Sequence, residues 1–171
     1  MKGRLFAWLV MIFGGAILGY YLDHTLFQDI YVNLLYHCIS AFIGILLLLL
    51  VMRISKNTGR TLAKYGRQGN LKRMETNALV IQGAYKYMRH PMHLGLLMFP
   101  LSIAFLIGSP SFIIIIAPAE IVLIIFMIKF VEEPEAIRKF GDQYLALKKQ
   151  VPWFCFRQEC LKELLKNVPK N

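Results

Sequence analysis

The chain has 171 residues, of which 57% are apolar, and a formal net charge of +10; its mean hydropathy is +0.51. A soluble domain of this length has no interior large enough to bury that share of apolar side chains, which excludes a soluble globular protein. In a soluble chain so positive a charge would suggest nucleic acid, but the basic residues here flank apolar runs, so anionic lipid headgroups are the expected partner and nucleic acid is not.

Four apolar runs follow one another, over residues 5–22, 31–52, 93–107 and 111–131. The second and fourth have the length of about 20 residues that a helix needs to cross hydrocarbon roughly 30 Å thick. Lys2 and Arg4 precede the first run, as in a signal peptide. That run is too long for a signal core, and Gly14, Gly15, Gly19, Tyr20 and Tyr21 read as a packing face with an interfacial aromatic end, so it is expected to be retained. The short connection DHTLFQD then closes a helical hairpin, residues 1–53.

Residues 54–171 form the second part, expected as a core. It opens with a basic, glycine-punctuated loop, residues 55–77, read as irregular or as a short helix on the headgroups. A membrane helix pair, residues 92–131, comes next: Pro100 interrupts its first helix, GSPS makes the tight turn, and Pro118 kinks its second. A polar helix is expected over residues 133–149, broken from the preceding span at Glu132, with Pro134 in its first turn. VPWF ends it, and the amphipathic stretch 157–167 is expected to lie on the membrane or on the body of the protein. The architecture expected is an all-α, polytopic membrane protein of about four transmembrane helices, with a cytoplasmic C-terminal helix completing the functional pocket.

Charge orients this scheme. The first connection carries Asp23, His24 and Asp29 but no Lys or Arg, whereas residues 53–89 hold nine basic residues and only Glu75. Both termini and the middle loop are therefore expected to be cytoplasmic, in an inner, plasma or endoplasmic reticulum membrane, which requires an even number of crossings. Cys38, Cys155 and Cys160 have neither CxxC nor metal-ligand spacing and are read as structural thiols; no metal is expected.

Two motifs stand at the ends of the membrane pair. In GAYKYMRHPMHLG, residues 83–95, the polar groups Arg89, His90 and His93 sit at the membrane boundary, where a polar cosubstrate can meet a lipophilic one. Read alone, they are equally a headgroup anchor with interfacial histidines. Glu132 and Glu133, followed by FGDQY, are in isolation a helix-start device. A hairpin of two membrane helices returns the chain to its starting face, so Glu132 is expected near His90.

RHPMHLG, a short membrane hairpin and then EEPEAIRKFGDQYLALKKQVP together resemble the C-terminal core of the isoprenylcysteine carboxyl methyltransferase family, whose relatives include the phospholipid N-methyltransferases. The resemblance covers residues 70–155. It implies an integral membrane enzyme that uses S-adenosylmethionine, releases S-adenosylhomocysteine and needs no metal. It further implies that Tyr85, Arg89, His90, Pro91, His93 and Glu132 line the cosubstrate pocket with the segment Asn77, Ala78, Leu79 and Val80. His90 and Glu132 are the candidates for a catalytic proton, and Lys129 and Glu120 are candidates for the acceptor side.

Three positions depart from the family pattern: His93 stands at a usual tyrosine, Ala84 at a frequent proline, and Ile128 at an arginine that the carboxyl methyltransferases use. They bear on the acceptor more than on the cosubstrate. Lys129, next to Ile128, offers a point charge without the bidentate geometry of arginine. The activity expected is methyl transfer to an oxygen, nitrogen or sulfur of a lipophilic molecule entering from the bilayer, of the isoprenylcysteine carboxyl O-methyltransferase type. The alternatives are N-methylation of a phospholipid amine and a non-catalytic scaffold or sensor that retains the fold. Glu120, two residues after Pro118 in the fourth run, either bonds a neighbouring helix or lines a substrate tunnel.

Overall fold

A computed structural model of the chain describes residues 2–69 and 76–168. Its helices are α1 (Lys2–Leu26), α2 (Gln28–Tyr31), α3 (Leu34–Tyr65), α4 (Pro91–Leu97), α5 (Phe99–Ile107), α6 (Ala117–Met127), α7 (Glu133–Gln150) and α8 (Gln158–Leu165). A 3₁₀ turn occupies Gly83–Lys86, and wider π turns occupy Phe112–Ile116 and Ile128–Glu132. No strand occurs among the described residues. Three helices are long and apolar enough to cross a membrane, Trp8–Leu26, Leu34–Tyr65 and Phe112–Gln150, and Pro91–Ile107 is a shorter apolar helix.

The two π turns have one cause. Each ends two residues before a proline, Pro118 or Pro134. Proline has no N–H for the carbonyl four residues back, and its ring collides with that carbonyl; the wider turn makes room without ending the helix. This corrects the expected break at Glu132, because the chain stays helical from the fourth apolar run into α7. The bend comes later, at Gly141, whose φ of 53° and ψ of −131° are non-helical. In a straight helix Glu133 and Tyr144 would stand roughly 16 Å apart along the axis, yet the Tyr144 hydroxyl bonds the Glu133 carboxylate at 2.7 Å. The bend folds the second half of α7 back towards the first. Gly141→Ala, which puts a Cβ on a positive φ, should cost about 1–3 kcal/mol and disturb that contact. Thermal unfolding in detergent reads the loss, and an unchanged midpoint contradicts the assignment.

A second correction concerns the basic loop. Residues 55–65, expected to be irregular or a short separate helix on the headgroups, continue α3 as helix. Thr58 and Thr61 donate their hydroxyls to the carbonyls of Ile54 and Asn57, one turn back, so these polar side chains are satisfied within the helix while buried. Residues 70–75 of that loop lie outside the described residues.

The chain divides into two compact units, each made from two stretches: Met1–Val51 with Leu97–Ile125, and Met52–Leu96 with Phe126–Asn171. In the first unit Ala104, Phe112, Ile116 and Ala117 form the core, with Ala16, Leu22 and Leu101 packed against it. Glycines bring backbones together there. A Cβ on Gly15 would lie 2.6 Å from the Glu120 carboxylate, and one on Gly19 would lie 2.8 Å from the Ser109 hydroxyl. Gly108 ends α5 in the left-handed conformation, φ 70°, and donates to the carbonyls of Ala104 and Phe105, which makes the expected tight turn.

Asp23, expected in an outer loop, stands inside α1 and is fully buried. Its carboxylate accepts the Ser111 backbone N–H at 2.7 Å, at the start of the helix entered through Pro110. A negative charge satisfies an orphan donor at that helix end.

In the second unit the tail is tied to α3. Arg53 and Asn57 donate to the carbonyls of Leu165 and Leu164 at the end of α8, and Arg60 donates to that of Val168. The apolar side of α8, Cys160 and Leu164, is buried, so this helix lies on protein. Cys155 and Cys160, read above as thiols, are joined in a disulfide, with Cα atoms 5.9 Å apart; the turn between them, not any motif spacing, brings them together. Cys38 is free and exposed.

Candidate functional site

Glu133 is the centre of the second unit's polar interior. Its side chain is 3% exposed, and its Oε1 accepts Nε2–H of His90 at 2.8 Å and the Tyr144 hydroxyl at 2.7 Å. Arg89 Nε lies 3.4 Å from the same oxygen, and Lys148 Nζ stands 3.0 Å from Oε2. Each partner arrives from a particular piece of chain. The 3₁₀ turn and Pro91, in the first position of α4, place Arg89 and His90, and the bend at Gly141 delivers Tyr144 and Lys148.

The backbone at this point is held from the tail. The N–H groups of Arg89 and His90 donate to the carbonyls of Pro152 and Trp153 at 2.9 and 3.2 Å, and the Trp153 ring stands edge-on to His90. VPWF, which by sequence only ends a helix, thus satisfies two donors that precede α4. One carboxylate shared by two cations, an imidazole and a phenol is a geometry that truncating a single partner breaks at high cost.

Beside this cluster lies a cavity of about 190 Å³. Of the residues the family pattern singles out, Ala78, Leu79, Val80, Tyr85, Arg89, His90, His93 and Glu132 line it. Glu132 comes to the same cavity as His90, as the hairpin argument required. Others go elsewhere. Asn77 is exposed and clamps the backbone of Gln68, donating to its carbonyl and accepting its N–H, both at 2.8 Å. Pro91 is fully buried beneath the wall. Lys129 is exposed, with its ammonium 5.4 Å from the Phe130 ring centre. Glu120 belongs to the first unit, where it packs on Gly15. Sequence reasoning missed Tyr144, Phe140 and Leu147 on the wall, and missed Glu133 as the anchor.

Two electrostatic features matter for chemistry. Burial lowers the pKa of His90 below the usual 6.5, against the opposing pull of Glu133, so the ring is neutral at pH 7. Its Nε2–H is committed to Glu133, which leaves Nδ1 as its acceptor. Burial raises the pKa of Tyr85, which keeps it a phenol; its hydroxyl is buried on the cavity wall with no hydrogen-bond partner among the described residues. An orphaned donor of this kind costs about 1–3 kcal/mol unless a ligand takes it up.

The depressed histidine fixes a pH response. Because its folded pKa lies below the unfolded value, its share of stability is complete above pH about 6.5 and is lost as pH falls from there towards the folded value. The unfolding midpoint should therefore drop more between pH 7.5 and 5.5 in the native chain than in His90→Gln; equal drops contradict the neutral buried ring.

A family model described as phospholipid methyltransferase matches residues 35–143, well over half of the chain. No curated protein and no solved structure matches it.

Proposed function

Since the chain belongs to the phospholipid methyltransferase family, we propose that the cavity beside Glu133 binds S-adenosylmethionine and that the protein transfers its methyl group to a lipophilic acceptor drawn from the bilayer. The observation that carries this reading is the orphaned hydroxyl of Tyr85, a residue that lines the cavity together with Arg89 and Glu132. A ligand bearing both an anionic and a cationic group suits such a wall, and the cosubstrate's amino-acid end and sulfonium are of that kind.

Bound there, S-adenosylmethionine supplies a methyl group already activated by the sulfonium. The chain's own residues then have to bind, orient and keep water out. Arg89, paired with Glu133, would hold the carboxylate of the ligand, Glu132 would complement its cationic end, and Tyr85 would donate the hydrogen bond it lacks. His90 is held neutral, so Nδ1 can accept a proton.

Between the acceptors that the family pattern implies, the structure favours an amine. Ile128 replaces the arginine associated with carboxylate acceptors and is fully buried, while neighbouring Lys129 is exposed and absent from the cavity lining. Neither residue therefore supplies a cation to the cavity for an anionic acceptor, whereas an amine needs only a proton acceptor. Incubating the purified chain in vesicles with methyl-labelled S-adenosylmethionine tests this. Label should enter phosphatidylethanolamine; label entering only a prenylcysteine acid overturns the amine assignment, and label in neither overturns methyl transfer to these lipids.

Four crossings with both termini cytoplasmic remain part of this proposal, with Pro91–Ile107 as a short third span in chain order. Cytosolic thiols are kept reduced, so the Cys155–Cys160 disulfide stands against that sidedness, and its state in the cell reports which face the tail is on. Acid-quenched membranes treated with a maleimide should show both cysteines labelled; a protected pair places the tail on the other face.

A further inference from the structure

The second half of α7 carries two neighbouring faces. Tyr144, Leu147 and Lys148 serve the charged cavity. Gln143, Ala146, Leu147 and Gln150, spaced three, four and seven positions from the first, form a stripe on the adjoining face. That stripe and the two residues Leu79 and Ile81 line an open surface groove of about 320 Å³. The cavity and the groove share Leu79 and Leu147 as walls. Small Ala146 leaves the space open, and Ile81, 51% exposed, presents apolar surface to it.

Size and chemistry together say what fills this groove. The charged cavity, at about 190 Å³, falls below the roughly 300 Å³ at which small-molecule pockets begin, so a cosubstrate that joins an amino acid to a nucleoside extends beyond it. The part that extends is flat, uncharged and apolar on its faces, with a hydrogen-bonding edge. The adjoining groove offers apolar walls and two carboxamides. A glutamine amide pairs with the donor–acceptor edge of adenine through both of its polar atoms.

Resting on the cosubstrate reading above, we infer that the adenine base lies in the groove between Leu79 and the Gln143–Gln150 stripe of α7, with Gln143 or Gln150 reading its 6-amino edge. The charged end then occupies the cavity at Arg89 and Glu132, and Leu79 and Leu147 flank the ribose between the two. Discrimination of the base is thereby placed on α7, apart from the charge cluster.

Calorimetric titration of the detergent-purified full chain with S-adenosylhomocysteine, and with its analogue lacking the 6-amino group, tests the assignment. The native chain should prefer the amino compound by about fivefold or more, one lost hydrogen bond. Gln143→Leu or Gln150→Leu should bring that ratio close to one, and Ala146→Phe, which fills the groove, should weaken both ligands tenfold or more at an unchanged unfolding midpoint. If the native chain binds S-adenosylhomocysteine while Ala146→Phe binds it equally well and both leucine variants keep the native ratio, the adenine assignment is overturned and the cosubstrate reading stands. If the folded native chain binds no S-adenosylhomocysteine, both are overturned.

Discussion

Glu133→Gln is expected to destabilise the chain by about 3 kcal/mol or more and to take cosubstrate binding with it. Four groups converge on this carboxylate: Arg89, Lys148, the His90 ring and the Tyr144 hydroxyl. Glutamine keeps the shape but not the charge, so the almost fully buried Arg89 is left uncompensated and one acceptor position becomes a donor. At this chain length that loss corresponds to a midpoint lowered on the order of 10 °C. The neighbouring substitution bears on binding. Glu132 lines the cavity and its charge acts on Tyr144, so Glu132→Gln, folded in detergent, should bind S-adenosylhomocysteine at least about tenfold more weakly than the native chain. Thermal unfolding and titration of the two variants side by side decide the point. If Glu133→Gln melts with the native protein, the cluster is not the anchor of the unit.

Gly44→Leu should be comparably damaging, for a reason of shape alone. A Cβ built at residue 44 lies 2.6 Å from the backbone nitrogen of Leu106 and 3.0 Å from its Cα. A side chain could rotate away, but a helix backbone cannot, so α3 and α5 must separate. Within lipid, helix association depends on this close approach of small residues, because there is little hydrophobic drive to replace it. Overpacking of this kind costs about 1–3 kcal/mol in ordinary cores, and the backbone contact puts this site at the upper end. Gly14, the residue before Gly15 on α1, has nothing within 4 Å of a built Cβ and is the control. Gly14→Ala should leave the midpoint unchanged or slightly raised. If Gly44→Leu and Gly14→Ala melt alike, the α3–α5 contact is wrong.

Much of this was legible in residue order. The apolar runs marked the helices, and GSPS marked the tight turn that Gly108 closes. RHPMHLG and the Glu132–Glu133 pair marked the two ends of a hairpin whose return brings Glu132 and His90 to one cavity. What stayed hidden depended on helix phase. A π turn places an additional residue in one turn, so everything after Ile128 is rotated relative to an ideal α-helix. Which of two adjacent glutamates turns inward follows from that rotation and from α7 folding back at Gly141. Both π turns do have a signal in hindsight, a proline two residues on. Lys129 fell to the exposed side for the same reason of phase. Thr58 and Thr61 disguised the end of α3 by bonding their own helix, and Asn77 proved to be a clamp on Gln68 because its side chain matches a backbone peptide in both directions. The cysteine pair offered no recognisable spacing; only the turn after Cys155 makes it.

The most direct test of the central claim is calorimetric titration of the purified, folded chain with S-adenosylhomocysteine. One site per chain, weakened about tenfold or more in folded Glu132→Gln, is the predicted result. A folded native protein that takes up no ligand, or a Glu132→Gln variant that binds as tightly as the native chain, would contradict it.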